Sequence, residues 1–225
     1  MSAVFVTATG TDVGKTFVTA GLIRRIRADD RPVHAIKPVV TGFDQHAWQE
    51  SDPAMLLAAL ARPIALDEAE RISPWRFKAP LSPDMAARRE GRTIEFEKVV
   101  AFCREAMARQ RGTVLIEGIG GIMVPLDRNR TVLDWMSVLR QPIILVTGTY
   151  VGTISHTLTS LEVLARRNLD IAAVAVSESE ASAASLEETV ATLARFADAI
   201  DVVGIPRLPA GNTDDPAFAR IAALI

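Results

Sequence analysis

The sequence predicts an α/β fold in which a mainly parallel sheet is covered by helices on both faces. Apolar segments rich in Val and Ile alternate with segments of helical length along most of the 225 residues. The apolar segments lack the alternation of polar and apolar residues, as strands buried on both faces should. A loop that contains glycine joins the first apolar segment to the first helical one. Together these features are typical of βα units.

The predicted strands comprise residues 4–8, 33–39, 113–118, 143–147, 171–176 and 202–205. The predicted helices comprise residues 15–28, 53–61, 94–109, 153–167, 186–196 and 216–224. Asp52 and Thr93 are the predicted N-caps of two of these helices. Residues 67–92 carry several prolines and are predicted to form a long surface loop. No linker or repeat interrupts the pattern, so we expect one domain over residues 1–225.

Composition excludes several classes of function. With 25 basic and 27 acidic side chains, the chain has no basic field that would hold nucleic acid. No apolar run is long enough to span a membrane, and the first residues do not resemble a signal peptide. The lone Cys103 cannot form an internal disulfide and is predicted to be a small buried residue. We therefore expect a cytoplasmic protein.

The loop after the first strand has the features of a phosphate-binding loop. Gly14, Lys15 and Thr16 open the following helix, where backbone N–H groups can surround a phosphate. The lysine would reach the terminal phosphates, and the threonine hydroxyl would hold Mg²⁺. The strict pattern G-x-x-x-x-G-K-[ST] requires glycine at position 9, but the chain has Thr9 there, with Gly10 one place later. The position of the loop at the end of the first strand still indicates a nucleoside triphosphate.

A lysine ends the second predicted strand. Lys37 follows the apolar residues 33–36, where an unpaired buried charge would be costly. Its stem could pack while its ammonium reaches water. Alternatively, because the phosphate loop ends a neighbouring strand, the ammonium could stabilise a transferring phosphoryl group or an anionic intermediate.

Acidic residues supply candidate ligands for Mg²⁺. Glu117 ends the third predicted strand and has the position of a Walker-B-type ligand, since Mg²⁺ prefers oxygen donors. The glycines that follow it, Gly118 and Gly120, would let the backbone approach phosphates. Taken alone, Asp52 is better explained as a helix cap than as a ligand.

A turn of small residues, 147–153, opens the helix that contains Ser155 and His156. Such a turn suits an anion, although a simple strand-to-helix connection would have the same composition. The three histidines are too widely spread to indicate a metal site.

Four ordered motifs resemble those of the dethiobiotin synthetase family, the ATP-dependent carboxylases that form the ureido ring of biotin. The family's Gly-Thr-Asp-Thr-x-Val-Gly-Lys-Thr, Lys-Pro-x-x-[Ser/Thr]-Gly, Ser-Asp and Glu-Gly-x-Gly-Gly correspond to residues 8–16, 37–42, 51–52 and 117–121. Residues 134–135, 152–156 and 205–206 also have counterparts, and the resemblance extends from Phe5 to about Leu208.

This resemblance implies a P-loop NTPase fold and the reaction of the family. The 7-amino group of 7,8-diaminopelargonate would take up CO₂, supplied with bicarbonate, to form a carbamate. The carbamate would attack the γ-phosphate of ATP and give a mixed carbamic–phosphoric anhydride. The second amine would then close the ring and expel phosphate. The resemblance also implies Mg²⁺ as cofactor, ATP as co-substrate and an active homodimer.

The resemblance assigns roles by position. Lys15 and Lys37 would be catalytic, and Thr16, Asp52 and Glu117 would hold Mg²⁺, directly or through water. The substrate-binding residues would be Thr11 and Thr41 at the diamine and carbamate end and, on the helix that binds the partner subunit's substrate carboxylate, Val151, Gly152, Thr153 and Ser155. The nucleotide would be bound by Asp12, Val13, Gly14, Lys15, Thr16, Phe17, Asp52, Glu117, Gly118, Ile119, Gly120, Ser177, Glu178, Pro206, Arg207 and Leu208.

Three departures from the family pattern stand out. Ala8 replaces the first glycine of the loop, and we expect Gly10 to restore the freedom of the turn. Asp12 replaces the glutamate that is usual in some members. Ser177 and Glu178 stand where the family often has Asn-Asp, whose asparagine reads the adenine edge. Because serine offers one hydroxyl where asparagine offers a matched donor and acceptor, the base preference stays open.

Other classes fit the sequence less well. Partitioning ATPases of this general fold carry an early lysine in Lys-Gly-Gly-x-Gly-Lys-Thr, where this chain has Gly10. Amidotransferase-type synthetases of the cobyrinate family need a glutaminase domain, for which 225 residues leave no room. A pure binding module does not explain two lysines and two acids that converge on a phosphate loop.

Overall fold

The structure is a computed structural model that describes residues 2–182, 184–209, 212 and 214–225. Its strands are β1 (Ser2–Ala8), β2 (Val33–Ile36), β3 (Val39–Thr41), β4 (Trp75–Phe77), β5 (Thr113–Glu117), β6 (Ile143–Thr147), β7 (Ile171–Ser177) and β8 (Asp201–Ile205). The main sheet is parallel, in the order β2-β5-β1-β6-β7-β8, and β3 pairs in parallel with β4 in a second sheet. The expected α/β fold is confirmed.

The helices are α1 (Lys15–Ala28), α2 (Asp52–Ala59), α3 (Leu66–Ile72), α4 (Pro83–Arg89), α5 (Phe96–Arg109), α6 (Val132–Leu139), α7 (Thr153–Arg166), α8 (Leu186–Ala194) and α9 (Pro216–Ala222). A 3₁₀ turn spans Trp48–Glu50. Every residue of β5 and of β6 is buried, which means that helices cover both faces of the sheet. Within the described residues, no helix is long and apolar enough to cross a membrane.

Aromatic contacts join the helices to the centre of the sheet and to one another. Phe5 of β1 packs edge-on against Trp135 of α6, with ring centroids 4.9 Å apart. On α1, Phe17 meets Phe218 of α9 at 5.8 Å. Cys103 is buried as expected, and burial raises the pKa of its thiol to about 12.

The second predicted strand is wrong in its length. β2 ends at Ile36, and β3 belongs to the second sheet. The backbone N–H of Lys37 donates to the carbonyl of Ile72, and Pro38 has no N–H to donate. Since neither residue can continue the ladder with β5, the chain leaves the main sheet here.

The prediction of a surface loop over residues 67–92 is also wrong, because this segment contains most of α3 and all of β4 and α4. The strand β4 is three residues long, and its pairing with β3 is set by tertiary contact. Pro83 lies in the first turn of α4, where proline is tolerated. Helix α6 was not predicted, although its start carries a capping box between Thr131 and Asp134.

Both predicted N-caps are wrong. Asp52 is the first residue of α2, and its carboxylate contacts Lys37. Thr93 precedes α5 by several residues, and the residue before α5, Glu95, makes no side-chain capping bond. By contrast, α1 begins and ends where the sequence predicts.

Candidate active site

The phosphate loop lies between β1 and α1. The N–H of Thr9 donates to the carbonyl of Val146 over 3.0 Å. Asp12 and Gly14 are left-handed, with φ of 57° and 89°. Gly10 is not, so the turn does not use it as expected. Ala8 is the fully buried last residue of β1, which explains why glycine is not needed there.

Gly14 lies against the end of strand β7. A Cβ at this position would lie 2.5 Å from Ser177 Oγ, which is too close for a side chain. Together with its left-handed φ, this contact requires glycine. The loop can therefore present its backbone at the start of α1, where a phosphate would bind.

A buried ionic cluster lies beside the loop. Lys37 Nζ lies 2.6 Å from Glu117 Oε1 and 3.4 Å from Thr16 Oγ1. It also forms an ion pair with Asp52. Thr16 Oγ1 in turn donates to Glu117 Oε1 over 2.6 Å. The end of β2 and the elements α1, α2 and β5, which are far apart in the sequence, thus bring together the residues that were predicted to act on phosphate and metal.

Burial and charge set the protonation of this cluster. Burial alone would lower the pKa of Lys37, but Glu117 and Asp52 outweigh it and raise the pKa. For Asp52, burial would raise the pKa, and the ammonium of Lys37 lowers it. Lys37 is therefore charged, with its ammonium inside the protein rather than in solvent.

Lys15 differs from Lys37 although both face the same cavity. Burial, and next the nearby Lys37 charge, lower the pKa of Lys15 to about 8. Within the described residues, no carboxylate lies at ion-pair distance from its ammonium. The group therefore has a positive charge for which a phosphate would be a favourable partner.

The oxygens of Thr16, Asp52 and Glu117 suit a magnesium ion. Glu117 Oε2 is buried and has no hydrogen-bond partner among the described residues, which is costly unless a cation or donor reaches it. Two carboxylates and a hydroxyl are hard donors, and Mg²⁺ binds such groups while it keeps several waters. The donor set therefore fits the ion that the loop sequence predicts.

A cavity of about 750 Å³ opens beside this cluster. The predicted site residues that line it are Thr11, Asp12, Gly14, Lys15, Thr16, Phe17, Lys37, Thr41, Asp52, Ile119 and Gly120. Its remaining wall comprises Val40, Met55, Pro80, Leu81, Ser82, Pro83 and Val124, which the sequence analysis missed. The sequence contains little indication of these residues, since most of them lie in residues 67–92, which were predicted to form an irregular surface loop.

Gly118 does not line this cavity. Its N–H donates to the carbonyl of Val6 over 2.9 Å, and a Cβ would lie 2.9 Å from the ring of Phe5. Glycine at position 118 therefore allows close packing against β1.

A second pocket of about 340 Å³ lies on the other side of the loop. It shares Asp12, Gly14 and Phe17 with the first cavity, and so the two spaces adjoin. The rest of its wall is Val13, Ser177, Glu178, Ser179, Glu180, Arg207 and Leu208. Pro206 does not line it. This pocket contains most of the residues predicted to contact a base.

The turn before α7 lines neither of these spaces. Val151 is 82% exposed, and Gly152 is left-handed with φ of 92°. Ser155 is exposed, but Thr153 is buried and its hydroxyl donates to the carbonyl of Gly148 over 2.7 Å. The role of this turn at the substrate of a partner subunit stays a prediction.

A phosphate loop at the end of a central parallel strand, with a charged cavity beside it, defines a P-loop nucleotide-binding protein. Solved structures share this fold. The hydrogenase maturation factor HypB from Archaeoglobus fulgidus has a TM-score of 0.57 at 12% identity, over 99% of this chain and 87% of that one. The cell division protein MinD from Aquifex aeolicus has a TM-score of 0.55 at 14% identity, over 100% and 95%.

Sequence comparisons identify the family. A family model described as an AAA domain matches residues 2–212. The ATP-dependent dethiobiotin synthetase BioD of Acidiphilium cryptum is 47% identical over 87% of this chain and 88% of its own. The BioD of Caulobacter vibrioides strain NA1000 is 46% identical over 95% of each chain. The chain belongs to the ATP-dependent dethiobiotin synthetase family, as its motifs predict.

Proposed function

We propose that the protein is an ATP- and Mg²⁺-dependent dethiobiotin synthetase. It converts 7,8-diaminopelargonate, CO₂ and ATP into dethiobiotin, ADP and phosphate. The observation that carries this proposal is Lys37, whose buried ammonium lies between the phosphate loop and two acids on the wall of the 750 Å³ cavity. A partitioning-type ATPase, the alternative, is not favoured by any feature of this cavity.

In this proposal, different residues bind the phosphates, stabilise the reacting groups and hold the metal. The loop backbone at Gly14 and the start of α1 bind the phosphates, and Lys15 neutralises their charge. Lys37 stabilises the negative charge of the carbamate and of the transferring phosphoryl group. Thr16, Asp52 and Glu117 hold Mg²⁺, which supplies charge neutralisation at the phosphates when it is bound.

The outer part of the cavity suits the diamine. The hydroxyls of Thr11 and Thr41 bind the polar end of the diamine. An apolar wall formed by Met55, Leu81 and Pro83 contacts the hydrocarbon chain of the diamine. Fixing both amines beside the phosphoryl group lets the ring close within one bound molecule.

The substrate carboxylate is bound by the turn 151–155 of a second subunit, so the active form is a homodimer. The support is the 82% exposure of Val151 and the position of this turn outside both cavities of its own chain. We also place the protein in the cytoplasm, without nucleic-acid or membrane partners, because its net charge is only −2 and its cysteine is free.

The test is product formation. The purified protein is incubated with 7,8-diaminopelargonate, bicarbonate, MgCl₂ and ATP, and dethiobiotin is detected by its mass. We expect product only when all four are present. ATP hydrolysis that neither needs the diamine nor yields dethiobiotin would instead support the ATPase alternative.

The shared site is tested by complementation. Lys37→Ala removes the phosphate-side lysine, and Gly152→Trp blocks the turn that serves the partner. Mixed dimers of these two inactive variants contain one intact site if the turn acts across the interface, and activity returns. Mixtures that stay inactive, although native mass spectrometry shows mixed dimers, contradict the shared site.

A further inference from the structure

The oxygens proposed as metal ligands all face one ammonium. Lys37 Nζ contacts Glu117 Oε1 at 2.6 Å and Thr16 Oγ1 at 3.4 Å, and it is paired with Asp52. The Lys37 side chain is only 4% exposed, and Glu117 is completely buried. The ammonium thus occupies the oxygen cluster in which the metal would bind.

At ion-pair distance, the described residues of this cluster carry more negative than positive charge, and the Lys15 ammonium acts on Glu117 and Asp52 from farther away. Two carboxylates share the Lys37 ammonium, and no group in the described part of the chain forms a hydrogen bond with Glu117 Oε2. A divalent cation would match both negative charges and could reach the free oxygen. Because two cations at contact distance from the same oxygens repel each other strongly inside a protein, Lys37 and the metal cannot both stay there.

We propose that Lys37 and the divalent cation are alternative occupants of this cluster, so that the metal displaces the lysine ammonium into the cavity. The inference rests on the proposed function, which assigns the metal to Thr16, Asp52 and Glu117. The 750 Å³ cavity that Lys37 lines offers the space for this movement. The metal therefore directs the lysine toward the phosphoryl group, and without it the lysine is held by the acids.

Metal binding without nucleotide tests this exchange. Free Mn²⁺ is measured by electron paramagnetic resonance during titration of the wild type, Lys37→Met and Lys37→Gln. Removing the competing ammonium should tighten Mn²⁺ binding at least about tenfold in both variants. Mn²⁺ should also raise the melting temperature of these variants more than that of the wild type.

Lys15→Met is the matched control, since it removes the same charge from the same cavity without breaking an ion pair. We expect a clearly smaller gain in Mn²⁺ affinity. An equal gain would show that only the long-range field matters and would overturn the exchange. So would a wild type that binds Mn²⁺ as tightly as Lys37→Met, or folded Lys37 variants that bind none. Dethiobiotin formation is scored separately, so a failure of the exchange and a failure of the proposed reaction are distinguishable.

Discussion

The two spaces on either side of the phosphate loop are built differently. The phosphate-side cavity is bounded by buried charges, with Lys15 at 7% and Lys37 at 3% exposure. The smaller pocket is bounded by surface charges, with the Arg207 side chain 56% and the Glu180 side chain 85% exposed. Since charges interact strongly only where water is excluded, phosphate chemistry should be sensitive to single changes and base recognition tolerant of them.

The largest expected effect is that of Lys37→Ala. Loss of a buried ammonium that stabilises the phosphoryl charge should lower kcat by about 10²–10³-fold. Steady-state dethiobiotin formation measures the loss, and binding of a fluorescent nucleotide shows that the variant is folded. Lys98→Ala is the control, because Lys98 is exposed and, among the described residues, its ion pair is with Glu95 on the surface. Unchanged turnover in Lys37→Ala would contradict the assigned role.

Gly14→Ala should have the next largest effect. A left-handed alanine, with Cβ 2.5 Å from Ser177 Oγ, should cost about 1–3 kcal/mol of unfolding free energy. Gly10→Ala should cost little, since no atom of the described residues lies within 4 Å of a Cβ there and φ is not left-handed. Urea denaturation of both variants compares them. Equal losses would mean that the conformation of Gly14 is not what constrains the loop.

The pH dependence of nucleotide binding should follow Lys15. Its pKa of about 8 means that the ammonium loses its proton above this pH, so affinity should fall by at most about tenfold per pH unit. Titration of the nucleotide from pH 7 to 10 measures the slope, which Lys15→Met should remove. A slope that persists in the variant would assign the dependence to another group.

The lowered pKa of Lys15 should make the folded protein more stable as the pH rises, whereas it makes nucleotide binding weaker. Between pH 8 and 10.5 the unfolded chain holds the Lys15 proton and the folded chain does not, so the free energy of unfolding should rise with pH. Below pH 8 both states are protonated, and this contribution becomes constant. Comparing the free energies of unfolding of the wild type and Lys15→Met over this pH range isolates the contribution of Lys15.

The smallest effect is expected on the base side. Ser177 places a single hydroxyl beside Gly14, so rates with ATP, CTP and GTP should differ by only a few fold, about 1 kcal/mol or less. Ser177→Asn should increase the discrimination, and Ser177→Ala should leave it nearly unchanged. A wild type with a strong preference for one base would show that Glu178 or backbone groups read the base instead.

Local sequence was enough to predict the elements whose signals are local. The helix α1 begins and ends as predicted, because the loop and its periodic apolar face both act within one segment. Residues 33–39 could not be assigned correctly, since only the contacts of Lys37 with Ile72 and of β3 with β4 decide where the strand ends. These contacts join residues far apart in the chain, and no local pattern records them.

By itself, the sequence determined the α/β fold, the phosphate loop, the family and the residue types needed for phosphate and metal. Only the tertiary structure decided that Lys37 reaches Thr16 and Glu117, and that Asp52 pairs with it rather than capping a helix. The physical reason is that the strength of a charge depends on what surrounds it. Parallel packing of β1, β2 and β5 buries Lys37 and Glu117 together and leaves Asp52 half-buried beside them. A list of residues in order contains neither their distances nor their burial.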